Sequence, residues 1–294
     1  MRRAARAALA IAFLLEGAAR ADGAADRIAR GRAVLEASGG CTCHTDFEGG
    51  GEPLAGGRPL ATPFGVFYST NITPDLETGI GRFGDADFLR AMREGRAPDG
   101  SAYFPVFPYT SFTGMSDDDL LALKAYLFSL PPVRRANRPP DAWPPFGWRI
   151  SAAAWQWLHF APTRFEADPA RDATWNRGAY LATAVAHCGE CHTPRGPTGA
   201  LDRSRWLAGS EQGPEGQLAP NLTPDRETGI GDWTHADRVW FLQTGGKPDG
   251  DEAQDLMREV IEHGYQHVPA ADLDAIAFYL ESLAPVRNKL ERKR

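Results

Sequence analysis

A chain of 294 residues, 43% hydrophobic and 24% charged, is too long for one small domain and suits two of roughly 100–150 residues each. Eight Trp, fifteen Phe and seven Tyr supply too much apolar surface for a disordered chain, while 31 Gly and 23 Pro forecast long ordered loops. A formal charge of −6 without a large basic patch argues against nucleic acid as a partner.

The N-terminus reads as a secretory signal over residues 1–21. Arg2, Arg3 and Arg6 form a basic start, Ala7 to Leu15 a short apolar run, and Ala19-Arg20-Ala21 a cleavage pattern. A membrane anchor would need about 20 apolar residues, and Glu16 and Arg20 interrupt this run. Export is therefore expected, leaving 28 basic against 37 acidic residues in the mature chain. It also makes a disulfide an option for each cysteine pair.

The remainder contains one unit twice, over residues 26–133 and 172–288. Asn71-Ile-Thr-Pro-Asp-Leu-Glu-Thr-Gly-Ile-Gly81 recurs as Asn221-Leu-Thr-Pro-Asp-Arg-Glu-Thr-Gly-Ile-Gly231, an offset of 150 that holds through Pro98-Asp-Gly100 and Pro248-Asp-Gly250. Leu120 to Val133 then matches Leu273 to Val286 at an offset of 153, and upstream Arg30-Gly31 matches Arg177-Gly178. In the first unit Ile28 to Leu35 is a predicted leading helix. Ala86 to Glu94 is a middle helix with Phe88, Leu89 and Met92 on one face. A terminal helix starts at the Ser116 cap, with Asp117, Asp118 and Asp119 in its first turn. It turns Leu120, Leu121, Leu123, Tyr126 and Leu127 inward and stops at Pro131-Pro132.

No convincing run of strands is visible, so the fold class is mostly α. Residues 134–171 form an aromatic, Pro-rich linker in which Trp148, Ala152, Trp155 and Leu158 share a helical face. That face either packs on a domain or docks a membrane surface or partner. A basic tail spans 289–294.

Chemistry concentrates at the cysteines. Cys188-Gly-Glu-Cys191-His192 is a C-x-x-C-H haem-attachment motif, in which two thiols meet the vinyl groups of one porphyrin edge and the histidine reaches the iron. Zinc would need further ligands at suitable spacing, and a thioredoxin-like pair would need a βαβ context. The first unit reads Cys41-Thr42-Cys43-His44, one residue short. Gly31 lies ten before Cys41, as Gly178 lies ten before Cys188, so the deletion sits inside the motif. His44 keeps its place beside Cys43. Attachment through both Cys41 and Cys43, within the ~7 Å that i and i+2 can span, and attachment through Cys43 alone both stand. Two covalently bound haem c groups are expected.

A sixth iron ligand is commonly Met in such sites. Met257, 65 residues after His192, is the candidate for the second haem. Met115 is either the ligand of the first haem or a hydrophobic staple touching Leu120, since it stands where the second unit has Val268. Met92 belongs to a core helix face. His263 and His267 read as a solvated face, His187 and His159 as structural, and His235 has no visible partner.

These residues resemble the cytochrome c subunits of bacterial membrane-bound alcohol, gluconate and aldehyde dehydrogenases. The resemblance covers Arg30 to Val133 and Arg177 to Val286, and rests on the repeated Asn-x-Thr-Pro-Asp-x-Glu-Thr-Gly-Ile-Gly, Ala91-Met-Arg-Glu-Gly95 and Cys191-His-Thr-Pro-Arg195. It implies tandem class I-like cytochrome c domains in the periplasm. They would take electrons from a dehydrogenase catalytic subunit and pass them to quinone, an oxidase or another cytochrome, with peripheral membrane association through the complex. Such subunits commonly carry three haem domains and an Ala-Met-Pro-Tyr ligand segment, where this chain has two units and Val106-Phe107-Pro108-Tyr109. The competing expectation is a di-haem redox enzyme, a peroxidase or sulfur-compound dehydrogenase, with an open first iron. No distal His or Glu set for its acid–base chemistry is apparent in the sequence.

Overall fold

The computed structural model describes residues 23–291. The signal reading over 1–21 and the last three residues of the basic tail lie outside them. Among the described residues no helix is long and apolar enough to cross a membrane.

The first unit opens with helix α1 over residues 23–37, which runs into a tight 3-10 turn, Gly39–His44. Then come strands β1 (Pro59–Thr62) and β2 (Gly65–Tyr68), and helices α2 (Asp85–Glu94), α3 (Tyr109–Phe112) and α4 (Asp117–Ser129). Phe88 and Met92 of α2 are buried as their spacing requires, with Leu89 half-buried. Ser116 caps α4 by accepting the Asp119 N–H, and Leu120, Leu123 and Leu127 face the core.

The strands are a correction to the sequence reading. β1 pairs antiparallel with β2, and β2 with the two-residue β3 (Asp141–Ala142). Four residues are too few to show an alternation above background, and the third strand comes from the linker, so no local pattern announces the sheet.

The linker is built into the body. Its Asn137 side chain accepts the Asn71 N–H at 2.7 Å, and Gln156 of α5 (Arg149–His159) donates to the Gly95 carbonyl at 2.9 Å. Of the face anticipated from Trp148, Ala152, Trp155 and Leu158, the body covers only part. Trp148 is the cap before α5, and only Ala152 is buried, beside half-buried Trp155. The solvent side carries Ile150, Trp157 and Leu158, which are 72%, 83% and 63% exposed.

In the second unit α6 (Ala173–Tyr180) passes through a π-turn, Leu181–Val185, into the short α7 (Gly189–His192). It is followed by α8 (His235–Thr244), α9 (Asp255–His263) and α10 (Ala270–Glu281). The leading and terminal helices of each unit cross at glycine. A side chain at Gly31 would overlap the Ala122 carbonyl, and one at Gly178 the Ala275 carbonyl. The units share one hydrophobic core, in which Val34, Met115 and Leu123 join Leu181, Leu273 and Leu280.

His235, read as partnerless, is held between Asp274 at 2.8 Å and Glu281 at 3.0 Å. Those partners lie about forty residues away on α10, a contact that no local pattern encodes. Its pKa is raised, chiefly by the hydrogen bond to Asp274. A raised folded-state pKa stabilises below the ordinary value near 6.5, and that contribution is lost as pH rises through the shifted value. Thermal melts of the wild type should therefore lose stability from about pH 6.5 upward more steeply than those of His235→Gln. Parallel slopes would show that the pair carries no linkage.

Candidate functional site

Each cysteine motif closes a loop whose hydrogen bonds repeat in both units. The His44 carbonyl accepts Gly56 N–H at 2.8 Å, and the His192 carbonyl accepts Gly209 N–H at 2.7 Å. Thr45 Oγ1 accepts Leu54 N–H at 3.0 Å, and Thr193 Oγ1 accepts Leu207 N–H at 3.0 Å. Leu54 (φ 59°) and Leu207 (φ 58°) share the same left-handed backbone.

The imidazoles are oriented identically. His44 Nδ1 lies 2.7 Å from the Thr70 carbonyl, and His192 Nδ1 lies 2.7 Å from the Pro220 carbonyl. Because a carbonyl only accepts, Nδ1 must carry the proton, which leaves the Nε2 lone pair free for a metal. Burial lowers both histidine pKa values, against a smaller opposing effect of these hydrogen bonds, so the rings stay neutral at pH 7.

The acceptor carbonyls escaped the sequence reading, although a signal was present: each immediately precedes the repeated Asn-x-Thr motif. Asn71, 1% exposed, donates to the Val133 carbonyl at 2.7 Å and to Thr78 Oγ1 at 3.1 Å, while its Oδ1 accepts from Thr73. Asn221 does the same with Val286, Thr228 and Thr223. This repeated stretch is thus a rigid frame for the histidine's partner.

The thiols behave alike. Burial pushes Cys43 and Cys188 up to about 11 and Cys191 up to about 12, and it also raises Cys41. Protonated thiols are poor ligands for a divalent ion and poor thiol–disulfide nucleophiles. Among the described residues all four cysteines are free, and no group of three or more His, Cys, Asp or Glu is placed to hold a metal ion. Neutral thiols beside a neutral imidazole with a free Nε2 suit covalent attachment of haem. Cys43 keeps accessible surface, unlike its half-buried neighbours Cys41 and His44.

The methionines occupy different settings. Met115 is 1% exposed, directly before the Ser116 cap, with Leu120 also fully buried, which is the staple position. Its carbonyl accepts from Arg93 at 2.7 Å and Arg164 at 3.1 Å. Met257 lies half-buried on α9 against the core. Phe107 packs in an aromatic group with Tyr103, Tyr109 and Phe112. Of the other histidines, His263 ends α9 and stacks on Phe47 at 4.6 Å, whereas His267 lies in a separate 3-10 turn, so the two do not share a helix face. His187 packs against Phe112 and His159 against Trp155.

No family model matches the chain. It is 40% identical over 262 residues to a protein described as diheme cytochrome c-type from Cereibacter sphaeroides, covering 87% of this chain and 86% of that relative. The chain belongs to the di-haem c-type cytochromes. It is also 40% identical over 289 residues to the gluconate 2-dehydrogenase cytochrome c subunit of Pantoea cypripedii, and 38% identical over 262 residues to the fructose dehydrogenase cytochrome subunit of Gluconobacter japonicus. These matches take in 94% and 87% of this chain but only 64% and 52% of those subunits.

Within this di-haem cytochrome the units grip each other reciprocally. The segment before each terminal helix lies on the other unit's cysteine loop. Glu190, between Cys188 and Cys191, accepts from Thr110 at 2.5 Å and Ser111 at 2.8 Å, and pairs with Arg195 at 2.7 Å. On the opposite side α9 lies directly on the Gly39–His44 turn. A side chain at Gly40 would overlap the His263 carbonyl, and one at Gly264 would crowd Gly39. Between Ala253 and Val268 the second unit holds three more residues than the first has between Tyr103 and Met115, giving the nine-residue α9 against the four-residue α3. The lengthened element faces the shortened cysteine loop, so the two changes offset each other in space.

Proposed function

We propose that the chain is an electron carrier with two covalently attached haem c groups. It takes electrons from a dehydrogenase catalytic subunit and passes them to quinone or a terminal acceptor in the periplasm. The observation that carries this reading is the duplicated imidazole setting, with Nδ1 on a framed carbonyl and Nε2 free at both Cys-His steps. His44 and His192 are the proximal ligands. Cys188 and Cys191 attach the second haem, and Cys41 and Cys43 the first. Met257 is the sixth ligand of the second haem and Met115 that of the first.

The bound haem supplies the one-electron chemistry; the protein supplies attachment, ligand orientation and burial. The Thr70 and Pro220 carbonyls raise the donor strength of the imidazoles and fix their planes. The buried cores around both loops limit water at the irons, which bears on potential. Relatives named as cytochrome subunits of gluconate and fructose dehydrogenases support the dehydrogenase partner.

A pyridine haemochrome assay on the exported, purified chain should return two haems per polypeptide. The wild-type EPR spectrum should show low-spin iron at both sites. One haem per chain would remove the first site, and a high-spin signal in the wild type would favour the di-haem enzyme with an open first iron.

A further inference from the structure

Outside the histidine and cysteine settings, one ionic cluster spans the two units, its arginine buried and its two glutamates half-buried. Arg58, 9% exposed, directs Nε to Glu215 at 2.9 Å and Nη1 to Glu259 at 2.5 Å, with Nη2 at 3.4 Å from both carboxylates. Arg58 belongs to the first unit, Glu215 to a turn of the second that packs on β1, and Glu259 to α9. Burial opposes the guanidinium charge, but the hydrogen bonds it donates to Glu259 and then Glu215 more than offset this and raise its pKa. Glu215 sits at φ 59°, a left-handed backbone unfavourable for a non-glycine residue. A charge cluster around a buried arginine that also holds a strained backbone is a costly arrangement for mere adhesion, because apolar packing would hold the units as well.

Its location gives it a use. The helix α9, which carries Glu259, lies on the Gly39–His44 turn, where a side chain at Gly39 would meet Val260. The Arg58 N–H donates to Ser69 Oγ, the residue before the Thr70 whose carbonyl holds His44. A side chain at Gly213, two residues before Glu215, would stand 3.8 Å from the Cys191 carbonyl. The cluster therefore lies between the cysteine loops of the two units. We propose that Arg58, Glu215 and Glu259 form an electrostatic positioning device. It holds the two attachment edges together and, through its formal charge of one cation against two anions, sets the potential of the first haem relative to the second. This inference rests on the two-haem reading.

A haem that is oxidised gains positive charge, so nearby negative charge favours the oxidised state and nearby positive charge the reduced one. The low-dielectric surroundings strengthen that effect. Three opposed outcomes follow. Arg58→Gln should lower one of the two redox waves. Glu259→Gln and Glu215→Gln, which keep the shape and a hydrogen-bonding amide, should each raise that same wave. The double variant Arg58→Gln with Glu259→Gln should return it most of the way. Asp251→Asn, which breaks the surface pair with Lys247, should move neither wave.

The test is spectroelectrochemical titration of the purified holoprotein, with haem content measured on every variant. A wild type holding fewer than two haems would defeat the two-haem reading itself. Two haems with shifts of the same sign in all variants, or with no shift in the glutamate variants, would overturn the electrostatic role. Should Arg58→Gln fail to fold, the glutamate variants still decide the matter, since neither strands a charge.

Discussion

Gly178→Ala should be among the most destabilising single substitutions in the chain, with Gly31→Ala close behind it. At Gly178 α6 rests on the backbone of α10, and the added methyl would occupy the place of the Ala275 carbonyl, with Tyr279 beside it. A carbonyl in mid-helix cannot step aside without breaking its own hydrogen bond, so the helices must separate. Overpacking of this kind costs about 1–3 kcal/mol where side chains can yield. Here backbone meets backbone, and a loss at or above about 3 kcal/mol is expected. The same separation would pull the Cys188 loop away from the Pro220 carbonyl, because Cys188 lies ten residues beyond Gly178 on the same segment. Denaturant unfolding followed by far-UV and Soret signals would measure the loss. Gly23→Ala, with nothing within 4 Å, is the control and should be nearly silent. A Gly178→Ala midpoint within error of the wild type would mean that the helix crossing is looser than described.

These glycines show what a sequence can and cannot reveal. Their recurrence ten residues before each first cysteine is plain in the repeat, and so are the Ser116 cap, the Cys-His pairs and the matched terminal helices. Each of these is a local pattern, with its cause within a few residues of its effect. What stayed hidden depends on distant segments meeting. The Thr70 and Pro220 carbonyls acquire their role only when a loop folds back over about 26 residues, and His235 finds Asp274 across 39. The three-stranded sheet needs a strand from the linker. The covered side of the linker helix depends on distant contacts in the same way. Spacing alone placed Trp148, Ala152, Trp155 and Leu158 on one face, but the body covers Ala152 and Gln156 and leaves Leu158 out. Periodicity identifies a face without saying which face is covered.

Met115 occupies a position that suits two roles at once. A buried methionine in the staple position satisfies packing whether or not it also meets iron, and both roles ask for the same apolar surroundings. Spectroscopy, not burial, separates them.

Inserting one alanine between Thr42 and Cys43, which restores two residues between the first cysteines, should disturb the second haem as well as the first. The shortened first loop lies directly beneath α9. Gly39 (φ 75°), Gly40 (φ 70°) and Cys41 (φ 51°) take three successive left-handed conformations to stay beneath that helix. Even a methyl on Gly39 would press on Val260 at 3.1 Å. An extra residue beside buried Thr42 therefore must lift α9 or bulge outward at exposed Cys43. Lifting α9 displaces Glu259 from Arg58 and moves Met257, the proposed sixth ligand of the second haem. The expected result is loss of stability of about 2 kcal/mol or more, on the scale of other overpacked sites. Partial loss of the Met–iron charge-transfer absorption belonging to the second haem should accompany it, although that haem's own motif is untouched. A companion variant carrying the same insertion and a deletion within 257–263 is unsuitable, because it would remove the ligand. The better comparison is Thr42→Ala without insertion, which should leave both absorptions in place. If the insertion altered only the first haem, the shortened motif would be a local matter of attachment chemistry, and its packing against α9 would carry no influence on the second site.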